Sequence, residues 1–201
     1  GSSAHQGHPR ALEVARSLRE SAQQNGDPTQ LRVGEMAVGS TRYWLADYPG
    51  AERHLRRACA WDEPEQWAAL TTPEAAHERI RAYSRDPHTD ALIYLGVTWW
   101  ETGHPQAAEE AMVQATELGR RVGHAYSLAA TLSFRTAFHH FRGEVRTTRR
   151  LAQELEGLAE DHELPVHTGF TQLMQAWTEA MSGEAGRLDG MSGAVGAMRH
   201  G

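Results

Sequence analysis

The chain has 201 residues, a formal net charge of −6, 40% hydrophobic residues and 23% charged ones. That balance fits an ordinary globular core, and the negative charge argues against a surface built to hold nucleic acid. No apolar run approaches the ~18 residues of a membrane span and no secretory leader is visible, so no membrane partner is expected.

A single cysteine, Cys59, rules out an internal disulfide and makes a reducing cytoplasm the expected location. All 20 basic side chains are arginine; asparagine occurs once, at Asn25, and isoleucine only at Ile80 and Ile93. Lysine, asparagine and isoleucine share AT-rich codons, so the composition points to a GC-rich bacterial genome. Without lysine the chain carries neither a Walker A phosphate loop nor a Schiff-base nucleophile.

In chain order, the opening Gly-Ser-Ser reads as a tag remnant and residues 1–8 as an unstructured lead. Beyond it, apolar residues recur at i, i+3, i+4 and i+7, broken by short clusters of Gly, Pro and Asp. This periodicity predicts helices over about 9–24, 30–46, 49–61, 73–83, 88–102, 105–121, 124–141, 144–161 and 166–181, with a weaker tenth over 184–199. Strand signals are nearly absent, so the expected fold class is all-α.

The segments 36–60 and 93–117 repeat one another. Gly39 aligns with Gly96, Ala51 with Ala108 and Ala58 with Ala115. Small residues at these places permit close helix packing, because a larger side chain would hold the backbones apart. The pattern resembles the tetratricopeptide repeat on Gly39, Asp47, Tyr48, Ala51 and Ala58, and again on Leu95, Gly96, Gly103, Ala108 and Ala115, with Trp99 where that family usually has tyrosine. The resemblance implies a right-handed superhelix of antiparallel hairpins, at about 30–61, 88–121, 124–161 and 166–199, forming a single array over 9–201. The last two hairpins are degenerate. Equivalent points at Ala51, Ala108, Thr148 and Leu188 are spaced by 57, 40 and 40 residues, against about 34 in ordinary repeats. The first spacing implies a short helix, 73–83, inserted between hairpins.

From about residue 10, the chain is similar to the carboxy-terminal repeat region of large bacterial regulators that join a cyclase or LuxR-type DNA-binding domain to an ATPase module. Tyr83, Asp86, Pro87, Gly103, Pro105 and Ala108 carry that similarity. It implies a non-catalytic sensor or scaffold segment. Residues 11–24 read as the second helix of a hairpin whose first helix is missing, so the open ends should pair with the parent chain or with a second copy.

Other constellations point to no enzyme, metal or cofactor. Zincin spacing is absent, since "HERIR" at 77–81 lacks the second histidine, and His139 and His140 are adjacent on a helix and diverge. Cys59 lies beside a packing alanine, which favours a buried, inert thiol. The arginine clusters at 53–61 and 146–150 fall on second helices; they read as a solvated outer face or, alternatively, as a phosphate or acidic-partner patch.

The resemblance places the first helix of each hairpin on a concave groove. Carried over by position, the groove residues include Tyr43, Trp44, Asp90, Ile93, Trp100, Glu101, His140, Phe170 and Trp177. Such an aromatic surface fits a protein partner or, alternatively, a small apolar ligand. Adjacent helical residues point about 100° apart, so Trp99 is expected to be buried inside its hairpin and Trp100 to face the groove.

Overall fold

The computed structural model describes residues 4–60 and 72–183. Of these, 86% are helical and none is in a strand. The helices are α1 (Ala4–Asn25), α2 (Pro28–Trp44), α3 (Tyr48–Cys59), α4 (Pro73–Tyr83), α5 (Pro87–Glu101), α6 (Pro105–Val122), α7 (Ala125–Phe141), α8 (Val145–Asp161) and α9 (Pro165–Met181). The all-α class and the order of elements match the periodicity. One boundary differs: α1 begins at Ala4, inside the lead expected to be unstructured. Once Ala15 and Ala22 are packed, each residue added to the helix costs no new nucleation. The expected helix over 184–199 lies outside the described residues.

The boundaries have a local cause. Aspartates cap α2, α3 and α5: Asp27 accepts from the N–H groups of Thr29 and Gln30, Asp47 from Gly50, and Asp86 from His88 and Thr89. Proline fills the first helical position of α2, α4, α5, α6 and α9, where its missing N–H costs nothing. At the other ends, Gly26, Gly103, Gly123, Gly143 and Gly183 take positive φ, a conformation that other residues adopt only with strain.

The chain falls into two compact units, residues 1–122 and 123–201. In the first, α2 packs on α1 and α3, and α5 packs on α3, α2 and α6. The repeat is visible in the contacts. A Cβ on Gly39 would lie 2.6 Å from Leu55 Cγ, and one on Gly96 would lie 3.0 Å from Met112 Cε. Leu55 and Met112 are themselves equivalent in the repeat, and Ala51, Ala58, Ala108 and Ala115 are all buried. At Gly34 the approach is closer still, because an added Cβ would meet Arg19 Cα of α1 at 2.6 Å.

The inserted helix α4 packs on α5 and α6. Its Arg79 donates to Asp86 Oδ2 through Nη2 at 2.7 Å and Nε at 3.1 Å. The other oxygen of Asp86 takes the His88 and Thr89 amides at 2.9 and 3.1 Å. One fully buried carboxylate therefore caps α5 and anchors the insertion. Burial holds the neighbouring His88 imidazole down, to a pKa of about 4, against the opposing pull of Asp86.

In the second unit α8 packs on both α7 and α9. Ala129, Leu132, Leu151 and Leu155 form the core, flanked by Leu128, Leu158, Leu164 and Phe170. By register, Thr136 and Ala152 stand where the first unit has Gly39 with Leu55, and both are buried. The larger residue has moved to the other helix.

Two predictions follow from this packing. In urea unfolding, Gly34→Ala and Gly39→Ala should each cost about 1–3 kcal/mol, as overpacking does. Gly96→Ala should cost less than about 1 kcal/mol, because the flexible end of Met112 can move and alanine recovers helix propensity. Arg79→Met should cost about 3–5 kcal/mol by leaving the Asp86 carboxylate buried without its counter-ion; equal stability of this variant and wild type would show that α4 is not anchored by that pair.

Candidate functional site

Within the first unit, an open trough of about 610 Å³ runs over α2. One wall is α1, with Ala11, Val14, Ala15 and Leu18; the floor is Met36, Ala37, Ser40 and Thr41; the far side is Arg85, Asp90 and Tyr94. Val14 is 64% exposed and Leu18 38%. The position of these two side chains is informative. Ala15 and Ala22 of α1 correspond to Ala51 and Ala58 of α3, 36 residues on. Val14 and Leu18 then correspond to Gly50 and His54, and His54 faces α2, where its Nδ1 lies 2.5 Å from Glu35. Val14 and Leu18 thus occupy the side of α1 that α3 uses to hold a helix.

The groove residues expected in this unit divide. Tyr43 and Trp44 meet Tyr94, with ring centroids 5.8 and 6.4 Å away. The Trp44 indole donates to the Tyr94 hydroxyl at 3.2 Å, yet Trp44 remains 60% exposed. Burial, then the nearby charge of Glu101, raises the Tyr43 pKa, and Glu101 itself is exposed. Asp90 lines the trough but is buried and tied to Arg85 at 2.9 Å; burial raises its pKa, and Arg85 opposes that rise. Ile93, only 1% exposed, is core and not contact surface. The first turns of α5 are largely buried because α2, α3, α4 and α6 all pack on that helix, although Asp90 still borders the trough; the sequence pattern did not show that the insertion would sit there. Tyr94 was missed. Its signal was its place one helical turn beyond Asp90.

The neighbouring tryptophans do not differ as expected, for both are half-buried. Trp99 reaches beyond its own hairpin. It joins α5 to α3, where its ring packs on the cluster of Ala51, Leu55 and Leu95. Its Nε1 donates to Glu52 at 3.0 Å, and the Arg56 guanidinium lies 5.0 Å over the ring. That hydrogen bond, then the one from Arg56, lowers the Glu52 pKa. Beside Trp99 opens a cleft of about 500 Å³ between α3 and α6, with Leu92, Leu95 and Leu118 as apolar lining and Arg56, Glu110, Glu117 and Arg121 as polar lining. α5 separates α3 from α6, which do not pack on each other among the described residues. Cys59 stands in the wall of the cleft; burial pushes its thiol up to about 12, which keeps it protonated and unreactive.

In the second unit, His140 and Trp177 meet edge-to-face at 4.4 Å. Phe141 and Met181, at the ends of the same two helices, are 70% and 58% exposed. Phe170 is half-buried and packs against the unit's core. Its helix is tied to α8 by Gln175 donating to Glu156 at 2.6 Å and by Arg149 donating to Ser182 at 3.0 Å.

No family model matches the chain. The chain is similar to an uncharacterized protein of Rhizobium meliloti (strain 1021), at 26% identity over 191 residues. The match covers 92% of this chain but 17% of that relative. No helix among the described residues is long and apolar enough to cross a membrane.

Trp99→Phe should return the Glu52 carboxyl toward its ordinary pKa, because the hydrogen bond that lowers it most is lost. Carboxylate-detected NMR titration of wild type and variant measures this. An unchanged Glu52 midpoint would place the indole N–H elsewhere in solution.

Proposed function

We propose that this chain is a non-catalytic helical-repeat module of a bacterial signalling or regulatory protein, and that its first unit recognises an amphipathic helix. The hairpins, in this reading, belong to a right-handed superhelix of tetratricopeptide type in the cytoplasm. One observation carries the proposal. In each unit a second helix and the next first helix form a crotch that holds another helix: α3 with α5 holds α2, and α8 with α9 holds α7. The crotch of α1 and α2 is instead the open trough, with Val14 and Leu18 on its rim. The small side chains of Ala11, Ala15, Ala37 and Thr41 permit a close approach, and a preformed seat lowers the entropic cost of binding. A protein partner or a flanking part of a longer chain supplies the helix; without either, the α1 face of a second copy fills the seat.

A second reading is a small-molecule sensor. It is supported by the cleft over Trp99, whose volume suits a small apolar effector and whose walls are two helices that an effector could draw together.

Sedimentation velocity over a concentration series tests the first reading. Wild type should self-associate, and Val14→Glu with Leu18→Glu should stay monomeric with unchanged circular dichroism, since both side chains are on the surface. A wild-type chain that remains monomeric throughout the micromolar range would remove the second copy as an occupant. Association unaffected by the double substitution would move the interface off this trough.

A further inference from the structure

On the other side of α1, a pocket of about 300 Å³ is lined by Arg16, Arg19 and Glu20 of α1, Val38 and Arg42 of α2, and His54 of α3. Three features set it apart from a solvated arginine face. First, the basic groups come from three helices, α1 and α3 both packing on α2, so the fold brings together residues far apart in the chain. Second, the Nε atoms of Arg19 and Arg42 are buried and have no hydrogen-bond acceptor among the described residues; a buried donor left unpaired costs about 1–3 kcal/mol, and more when charged. Third, the carboxylates within reach are already shared. Glu35 lies 2.5 Å from His54 Nδ1, 3.6 Å from Arg19 Nη1 and 3.9 Å from Arg57 Nη1. Asp47 holds Arg42 through Nη1 and also caps α3. Glu20, on the exposed side of α1, is the one acidic group in the lining.

We propose that this pocket is an oxyanion site that takes a phosphate group. The choice of phosphate over carboxylate rests on geometry. A planar carboxylate matches one guanidinium fork, whereas a tetrahedral dianion directs acceptors toward several donors at once. Arg16, Arg19 and Arg42 approach from two helices, so one fork cannot satisfy them. The volume holds a single phosphate with a few waters, which sets the ligand as inorganic phosphate or a phosphoryl group presented at the surface. The site lies on the face of α1 and α2 turned toward α3, away from Val14 and Leu18, and it stands whether or not a helix docks in the trough.

Isothermal titration calorimetry of the whole chain, at fixed pH and matched ionic strength, tests this with inorganic phosphate, acetate and chloride. Phosphate should bind at one site in the millimolar range or tighter, and acetate at least about tenfold more weakly. Arg16→Gln is the first variant, because the side chain is exposed and its loss leaves the packing alone; it should weaken phosphate about tenfold. Arg19→Gln, checked for folding by circular dichroism, should do the same. Equal heats for acetate and phosphate would overturn the phosphate assignment in favour of a carboxylate. Phosphate heats that are absent, or unchanged in both variants, would overturn the site. If inorganic phosphate binds and glycerol phosphate does not, the pocket takes the free ion; if both bind alike, it takes a phosphoryl group on a larger molecule.

Discussion

One buried carboxylate joins the inserted helix of the first unit to the start of α5. Asp86 ends the loop after the inserted helix, caps α5 through two amides and binds Arg79 through two more donors. A charge so deeply buried is tolerated only when each oxygen is satisfied. Those four bonds fix α4 against α5. Beyond that cap the first turns of α5 are buried, Ile93 almost wholly, while Asp90 stays at the edge of the trough. Because α5 lies between α3 and α6, a cleft remains over Trp99.

The second constraint is how closely helices may approach. Gly34, Gly39 and Gly96 sit where a side chain would strike a neighbour, and Leu55 and Met112 fill the space they leave. The second unit solves the same problem with Thr136 and Ala152, moving bulk from one helix to the other while keeping it buried. Conservation of volume, not of residue type, preserves the packing. This is why the later hairpins look degenerate as sequence yet keep the helix-on-helix arrangement. Both the trough and the arginine pocket are by-products of these contacts, lying on opposite sides of the line where Ala15 and Ala22 press α1 onto α2.

Much of the candidate site was legible in part. The aromatic character of Tyr43 and Trp44 could be read from their position on a first helix, and the structure places them together with Tyr94. Trp99 and Trp100 show the limit. Their difference in direction follows from helical geometry, but the depth of each depends on neighbours that pattern cannot supply: Glu52 and Arg56 reach Trp99 from a different hairpin. The arginines of 53–61 read first as a solvated face and only second as an anion patch. Arg16, Arg19 and Arg42 were not grouped with His54 at all, because they are close in space and not in the chain.

By itself the sequence determined the helices, their caps and stops, the repeat between 36–60 and 93–117, and the existence of an insertion before residue 84. These follow from rules that act within a few residues: periodicity, Asp and Pro at starts, Gly at ends, small residues at crossings. Only the tertiary structure decided which faces stay open. Exposure is a property of what packs nearby: four helices pack on α5 and bury its first turns, while α1 keeps Val14 and Leu18 uncovered. The same holds for charge. Twenty arginines are countable in the chain, but that two of them leave buried donors unsatisfied beside a pocket is decided by how three helices meet.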